Sequence, residues 1–122
     1  MPNTKLNLAK IESAVLTADL HTLIGTPANG TYTLALKTGI GGTITKINVI
    51  TSSGTCDVSL RINGVNVVWP SSATVVAASS TINEKIAASA NAFGVGARLD
   101  LVVANNSSSA NLAVSVTYAR TA

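Results

Sequence analysis

Charged and aromatic residues are scarce in this sequence of 122 residues. Charged residues make up 11% and aromatic residues 3%, against 47% hydrophobic residues, whereas charged residues usually form about 25% of a soluble domain. Such a composition fits a membrane protein, or a protein that hides much of its surface in an assembly. A membrane-spanning helix needs about 20 consecutive apolar residues, and Thr, Ser, Asn or Gly interrupts every apolar stretch here. We therefore expect an assembly-forming protein with no membrane partner.

Residues that carry chemistry are also few. The single cysteine, Cys56, excludes an internal disulfide framework, and its place in the apolar phase of an alternating run predicts a buried, inert thiol. The single histidine, His21, has no second histidine or cysteine near it in the sequence to form a metal site or a catalytic triad. We therefore predict that the protein is not an enzyme, with no catalytic residue, no metal site and no cofactor.

Positive charge is spread along the chain. The net charge is +3 from eight basic and five acidic residues, and the basic residues form no cluster with interleaved aromatics, so no specific nucleic-acid partner is expected. Asp57 and Asp100 fall in polar phases of alternating runs, so solvation or pairing with Arg61 and Arg98 accounts for them. The first ten residues lack the continuous apolar region of a secretory signal. This predicts a product made in the cytoplasm of the producing cell.

Alternating apolar and polar residues dominate the chain from Gly30 onward, which is typical of half-buried β-strands. Asn63-Gly64 lies between two such runs and predicts a tight hairpin, because both turn positions require positive φ. Asn105 to Ser109 reads as a polar loop. The predicted strands are Thr31 to Lys37, Thr43 to Thr51, Cys56 to Ile62, Val65 to Trp69, Ala73 to Ala78, Thr81 to Ala88, Leu99 to Val103 and Leu112 to Ala119.

About eight strands separated by turn signals predict an all-β fold, an antiparallel β-sandwich of jelly-roll or Greek-key type. The last two strands alternate most cleanly, so we place them near the centres of the sheets. We expect a core that includes Val58, Leu60, Leu101, Val114 and Val116. Ser, Thr, Ala and Asn occupy most outward positions, where Lys and Glu are usual, and such flat faces favour packing against other copies of the chain.

Residues 1–28 form a separate N-terminal arm in this interpretation, ahead of a sandwich domain at residues 29–122. The spacing of Leu16, Leu20, Leu23 and Ile24 fits one face of a helix, while Leu6 and Leu8 fit a strand equally well. We expect these apolar side chains to need a surface outside the sandwich, on a partner subunit or on a larger particle. The candidate interface residues are Leu6, Leu8, Ile11, Leu16 and Leu20.

Trp69 is the single tryptophan, and Pro70 follows it. At the end of a strand its ring could stack on a sugar and make a glycan contact, or it could cap the core. Capping is favoured, because aromatic side chains bury a large area and because sugar sites usually gather several aromatics and acids.

Several segments, quoted at the end of this paragraph, resemble a small β-sandwich domain of bacteriophage virion structural proteins, of the head-associated decoration or fibre type or the tail-fibre type. The resemblance covers about residues 28 to 120 and consists mostly of turn and strand chemistry. It implies a virion location, synthesis in the host cytoplasm and trimeric assembly. Its segments are Gly30 to Leu34, Ser53 to Cys56, Arg61 to Val65, Val95 to Val103, Asn105 to Ser109, Asn111 to Ala113 and Thr117 to Arg120.

The function expected from these observations is a non-enzymatic structural part of a phage particle. A capsid decoration, head spike or head-fibre component would act through contacts with its own copies, in a homotrimer, and with capsid, portal or tail proteins. The longer fibre proteins of the family carry segments that this chain lacks, which favours a compact decoration or spike-base piece. Head and tail locations both stay open at this point. The alternative is a carbohydrate-binding module of a tail fibre that attaches to the host.

Overall fold

The chain folds into two packed antiparallel sheets in a computed structural model that describes residues 17–70, 72, 74–79 and 81–120. The predicted all-β sandwich is confirmed. Within the described residues, no helix is long and apolar enough to cross a membrane. The strands are β1 Thr17–Ile24, β2 Gly30–Ala35, β3 Gly42–Ile50, β4 Ser53–Ile62, β5 Val65–Asn66, β6 Val75–Ala78, β7 Asn83–Ile86, β8 Ala92–Phe93, β9 Leu99–Ala110 and β10 Leu112–Arg120.

The strand order identifies a jelly roll. Sheet A has the order β1-β10-β3-β7, with β8 also on β3, and sheet B has the order β2-β9-β4-β5, with β6 also on β4. The chain is therefore nested, since its first strand pairs with its last, β2 pairs with β9, β3 pairs with β7 and β8, and β4 pairs with β5 and β6. This pairing of strands from the first half of the chain with strands from the second half is the double Greek key of the jelly roll. As predicted, β9 and β10 lie inside their sheets.

The core lies between the sheets and follows the alternation of the sequence. The five residues predicted to be buried there, Val58, Leu60, Leu101, Val114 and Val116, are all at most 3% exposed. Buried side chains of β3 and β10 in sheet A face those of β4 and β9 in sheet B. Since apolar burial drives folding, this shared layer is what holds the two sheets together.

The predicted hairpin at Asn63-Gly64 is present between β4 and β5. Asn63 has φ of 51° and Gly64 has φ of 81°, and the flanking pair is Ile62 with Val65. Positive φ at both central residues is the requirement of the type I′ turn, whose twist matches the twist of the strands.

The predicted polar loop from Asn105 to Ser109 is wrong, because β9 continues through it to Ala110. The register of β9 against β4 shifts twice in this region, and Asn105 and Ser108 have positive φ there, of 50° and 52°. The extra residues break the alternation that marks a strand in a sequence. The Asn105 Nδ2 group donates to Asp57 Oδ2 on β4 at 2.7 Å, so this bulged part of the strand still contacts its neighbour.

The second half of the predicted arm is an edge strand of the sandwich. Thr17–Ile24 form β1, which pairs with β10 residue for residue from Thr17 with Ala119 to Ile24 with Leu112. Leu20 and Ile24 pack against the core. This part of the predicted arm is therefore an extended strand of the sandwich, which begins before the boundary expected at residue 28. The strands from Gly30 onward leave one side of β10 uncovered, and β1 covers it. The candidate interface residues Leu6, Leu8, Ile11 and Leu16 lie outside the described residues.

Candidate contact face

The outward side of sheet A carries the chemistry of a contact surface. Its side chains come from four strands and from Ile82, just before β7, and the register sets them in rows across the sheet. We call this surface the outer face of sheet A. Its members are Asp19, His21, Leu23, Lys46, Asn48, Ile50, Ile82, Glu84, Ile86, Ala113, Ser115 and Thr117.

An apolar row crosses this face at one end. The register sets Leu23 beside Ala113 and Ala113 beside Ile50, and Ile82 lies at the same depression, which has a volume of ≈ 570 Å³. Leu23 is 69% exposed and Ile82 is 65% exposed. Single exposed apolar residues are common, but apolar side chains grouped in a concave surface are typical of binding sites.

The next row on the same face is polar. It runs from His21 through Ser115 and Asn48 to Glu84, and the first three of these side chains also line the depression. Glu84 forms an ion pair with Lys46 at 3.2 Å. This paired carboxylate sits on the edge strand β7 and points outward, in the same phase as the exposed Ile82 and Ile86.

The charged groups on this face have polar partners within the chain. Lys46 and Glu84 form an ion pair, and Asp19 accepts a hydrogen bond from the Thr117 hydroxyl at 2.6 Å. Removing one partner of a buried pair leaves an uncompensated charge, so such contacts lower the cost of covering the face relative to unpaired charges.

The outward side of sheet B differs in that hydrogen-bonded polar side chains lie between its exposed apolar residues Val65 and Val76. Arg98 Nε lies 3.1 Å from Asp100 Oδ1, and Arg98 Nη2 donates to the Thr33 hydroxyl. The expected pairing of Asp100 with Arg98 is confirmed. For Asp57 the pairing with Arg61 is not formed, since Arg61 Nε donates to Asn66 Oδ1 and Asp57 accepts from Asn105, which leaves the alternative of solvation. Side chains bound to each other in this way have less to offer a partner than the apolar row of sheet A.

Trp69 is 1% exposed and belongs to the core. This burial agrees with the prediction that Trp69 caps the core, and the buried ring cannot stack on a sugar. Its indole Nε1 has no hydrogen-bond partner among the described residues.

Cys56 is a buried thiol, as predicted. Burial raises its pKa, a hydrogen bond with Ser109 acts in the opposite direction, and the nearby Asp57 charge raises the pKa further. A raised pKa keeps the sulfur protonated and unreactive near neutral pH.

The structure brings His21 together with residues that sequence reasoning did not select. No group of three or more His, Cys, Asp and Glu side chains that could hold a metal occurs in the described part of the chain. Ile50, Ile82 and Ala113 join His21 only through the register of three different strands. The one signal in the sequence was the shared phase of Ile82, Glu84 and Ile86.

No protein-family model matches this chain, and no curated protein matches it. Among solved structures, the chain is similar to a chain of the cyanophage Pam1 capsid asymmetric unit, with 16% identity over 84% of each chain and a TM-score of 0.45. It is similar to a capsid chain of the Helicobacter pylori bacteriophage KHP30, with 14% identity over 85% of this chain and 87% of the other, and a TM-score of 0.48.

A third similar structure is a carbohydrate-binding module, CBM36, in complex with calcium and xylotriose. Its identity is 14%, over 88% of this chain and 100% of that chain, with a TM-score of 0.45. All three TM-scores are below 0.5, so these similarities carry no argument about function. The assignment of the fold rests on the strand order described above.

Proposed function

We propose that this chain is a non-enzymatic structural protein of a bacteriophage particle, a capsid decoration or a head spike or fibre component. The observation that carries the proposal is the outer face of sheet A, where exposed apolar side chains border a depression beside a row of polar groups. The resemblance of residues 28 to 120 to phage virion domains supports the same function.

The mechanism is burial of this face against other subunits. Apolar surface removed from water contributes about 25 cal/mol per Å², and a stable protein contact buries roughly 1,200–2,000 Å² in total. Exposed Leu23, Ile82 and Ile86 supply apolar area, while Asn48 and Ser115 add hydrogen-bonding groups beside it. A protein that acts in this way needs no reacting group, only a rigid surface.

The partners in this proposal are other copies of the chain and the proteins of the shell, such as capsid, portal or tail components. A homotrimer is the assembly predicted from the sequence, which also predicts that the arm at residues 1–28 attaches the chain to the particle. Because Thr17–Ile24 form β1 of the sandwich, the proposal keeps residues 1–16 for this attachment. Such a protein would be made in the host cytoplasm and incorporated into the virion there.

The test is incorporation into particles of the phage that encodes the chain. Ile82→Asp places a charge in the apolar row of sheet A, and we expect at least about a tenfold loss of the protein from purified particles, equal to 1.4 kcal/mol of binding free energy. Val76→Asp is the matched control, since Val76 is an exposed side chain of sheet B, 48% exposed. This variant should be incorporated normally. Wild-type protein absent from the particles, or equal loss of both variants, would contradict the proposal.

A carbohydrate-binding module of a tail fibre is the second candidate, and the depression on sheet A is the observation that favours it. Asn48, Ser115 and His21 at its edge could bind sugar hydroxyls, although no aromatic side chain lines it. Glycan-array binding that is lost in Asn48→Ala, with normal incorporation into particles, would support this function. Trp69→Ala is a poor probe for it, because removing a buried ring would alter the stability of the core.

A further inference from the structure

Among the described residues, β1 is the longest edge strand of the sandwich. β1 pairs with β10 through all eight of its residues without a register shift, and among the described residues no strand lies on its other side. Unpaired backbone groups along a regular strand are a template for another strand. The outer face of sheet A is continuous with this edge, since Asp19, His21 and Leu23 of β1 belong to both.

Other edges of the sandwich carry protection that β1 lacks. β7 has only four residues, two of which are the charged Glu84 and Lys85, and β5 has two residues. The edge strand β2 has a register shift between Thr33 and Ala35. Short length and bulges are among the usual means of keeping strand edges apart. β1 has neither, since it is eight residues long and pairs with β10 without a register shift, so its edge can accept a partner strand.

We propose that β1 pairs with β1 of a second copy of this chain, antiparallel and about a two-fold axis, so that sheet A continues across both subunits. This inference rests on the proposed self-association and locates one of its contacts. A two-fold contact gives a dimer, so the trimer predicted from the sequence would need a further contact elsewhere on the chain.

Asp19 and His21 on β1 select the register of this pairing, because a histidine ring N–H can donate a hydrogen bond to a carboxylate. With Leu20 opposite Leu20 of the second copy, Asp19 of each copy lies directly opposite His21 of the other, on the outer face. The two leucines then meet on the inner face, where each already packs against its own core. A shift of one residue would put the inner side chains of one strand beside the outer side chains of the other.

The next register in phase is worse. It sets Asp19 opposite the apolar Leu23 and one His21 opposite the other, which loses both hydrogen bonds between Asp19 and His21. The Asp19 carboxylate is already held on the outer face, because the Thr117 hydroxyl donates to its Oδ1 atom. The Asp19 side chain is therefore already in position to contact His21 of the second copy before the two copies associate.

Sedimentation of the full chain with exchanged charges tests the contact. His21→Asp sets two carboxylates opposite each other, and Asp19→Lys removes the acceptor of both hydrogen bonds, so we expect each to raise the dimer dissociation constant by at least about tenfold. The double variant Asp19→Lys/His21→Asp sets opposite charges across the contact and should restore the dimer. Val76→Lys is the control, since Val76 is an exposed side chain of sheet B, and it should leave the dimer intact.

Disulfide formation tests the register. Directly opposed Cα atoms of antiparallel strands lie about 4.5–5.5 Å apart, which a disulfide can span. Asp19→Cys/His21→Cys should therefore oxidise to a covalent dimer, whereas Val76→Cys, an exposed position on β6 of sheet B, should stay monomeric on a non-reducing gel.

The outcomes separate this inference from the proposed function. A wild-type oligomer whose mass is unchanged by the charge variants would overturn the β1 contact and leave the virion function standing. A dimer that responds to the charges as described but never enters phage particles would support the contact and contradict the virion function. A wild-type chain that is strictly monomeric would overturn the contact and the proposed self-association together.

Discussion

Glycine is required at position 54 by two separate features of the structure. Its φ is +66°, and a Cβ atom there would overlap the backbone carbonyls of Ser107 and Ser108 in the bulged part of β9. We predict that Gly54→Ala lowers the free energy of unfolding by about 2–4 kcal/mol, measured by urea denaturation. Gly39→Ala is the control, because nothing lies within 4 Å of its added Cβ, and its effect should stay within about 0.5 kcal/mol. Equal losses would contradict the close contact at Gly54.

The raised pKa of the Cys56 thiol predicts that the protein loses stability at alkaline pH. Burial raises the pKa of its thiol in the folded chain, so above the usual thiol pKa the unfolded chain releases a proton that the folded chain keeps. The unfolded state then binds fewer protons, and the free energy of unfolding falls as the pH rises toward the raised pKa. Denaturation curves of wild type and Cys56→Ala across this range should converge as the wild type loses stability. Parallel curves would show that Cys56 is not the cause.

Residue positions differ in how far the sequence alone determines them. Val58 and Leu60 were predictable because alternation depends only on neighbours along the chain, and Asn63-Gly64 because turn geometry is local. The need for glycine at position 54 was not predictable. It arises from carbonyl groups more than fifty residues away, which meet Gly54 only after β4 and β9 have paired.

At the scale of elements, β1 shows why a pattern can fit two structures. Leu16, Leu20, Leu23 and Ile24 match a helical face, but Leu20, Thr22 and Ile24 also share one side of a strand. The open side of β10 decides between them, since a strand there completes the pairing of its backbone groups. Similarly, β9 could not be traced past Val103, because its bulges at Asn105 and Ser108 break the alternation.

Truncation separates the role of β1 from that of the preceding segment. A variant starting at Thr17 keeps all ten strands and should melt within a few degrees of the full chain. A variant starting at Gly30 lacks β1, exposes the side of β10 and loses the Leu20 and Ile24 contacts with the core. We expect it to unfold or aggregate, as measured by circular dichroism and light scattering. A stable soluble protein starting at Gly30 would show that β1 is dispensable for the fold.

At the scale of the whole molecule, nested pairing predicts slow folding. β1 must find β10 across almost the entire described chain, and β2 must find β9. Folds dominated by such distant pairings fold in about milliseconds to seconds. Stopped-flow refolding should therefore show a main phase in this range, and a main phase in microseconds would contradict the expectation.

The contact face also belongs to this scale. Scarce charge and small outward residues indicated that the chain hides surface, but they did not indicate which surface. Leu23, Ile50 and Ile82 come from three separate parts of the chain, and only the register of sheet A brings them to one depression. A sequence pattern predicts which side chains of one strand share a face, whereas this site depends on the order of four strands in the sheet.

The pairing of Thr17 with Ala119 has a consequence for protein engineering. The described chain enters and leaves the sandwich at one corner, on adjacent strands of sheet A. A short linker from Arg120 to Thr17, with new ends opened at the exposed Gly39 between β2 and β3, would give a circular permutant in which every strand keeps its neighbours. Two different peptides, one fused before Thr17 and one after Arg120, would lie side by side at this corner.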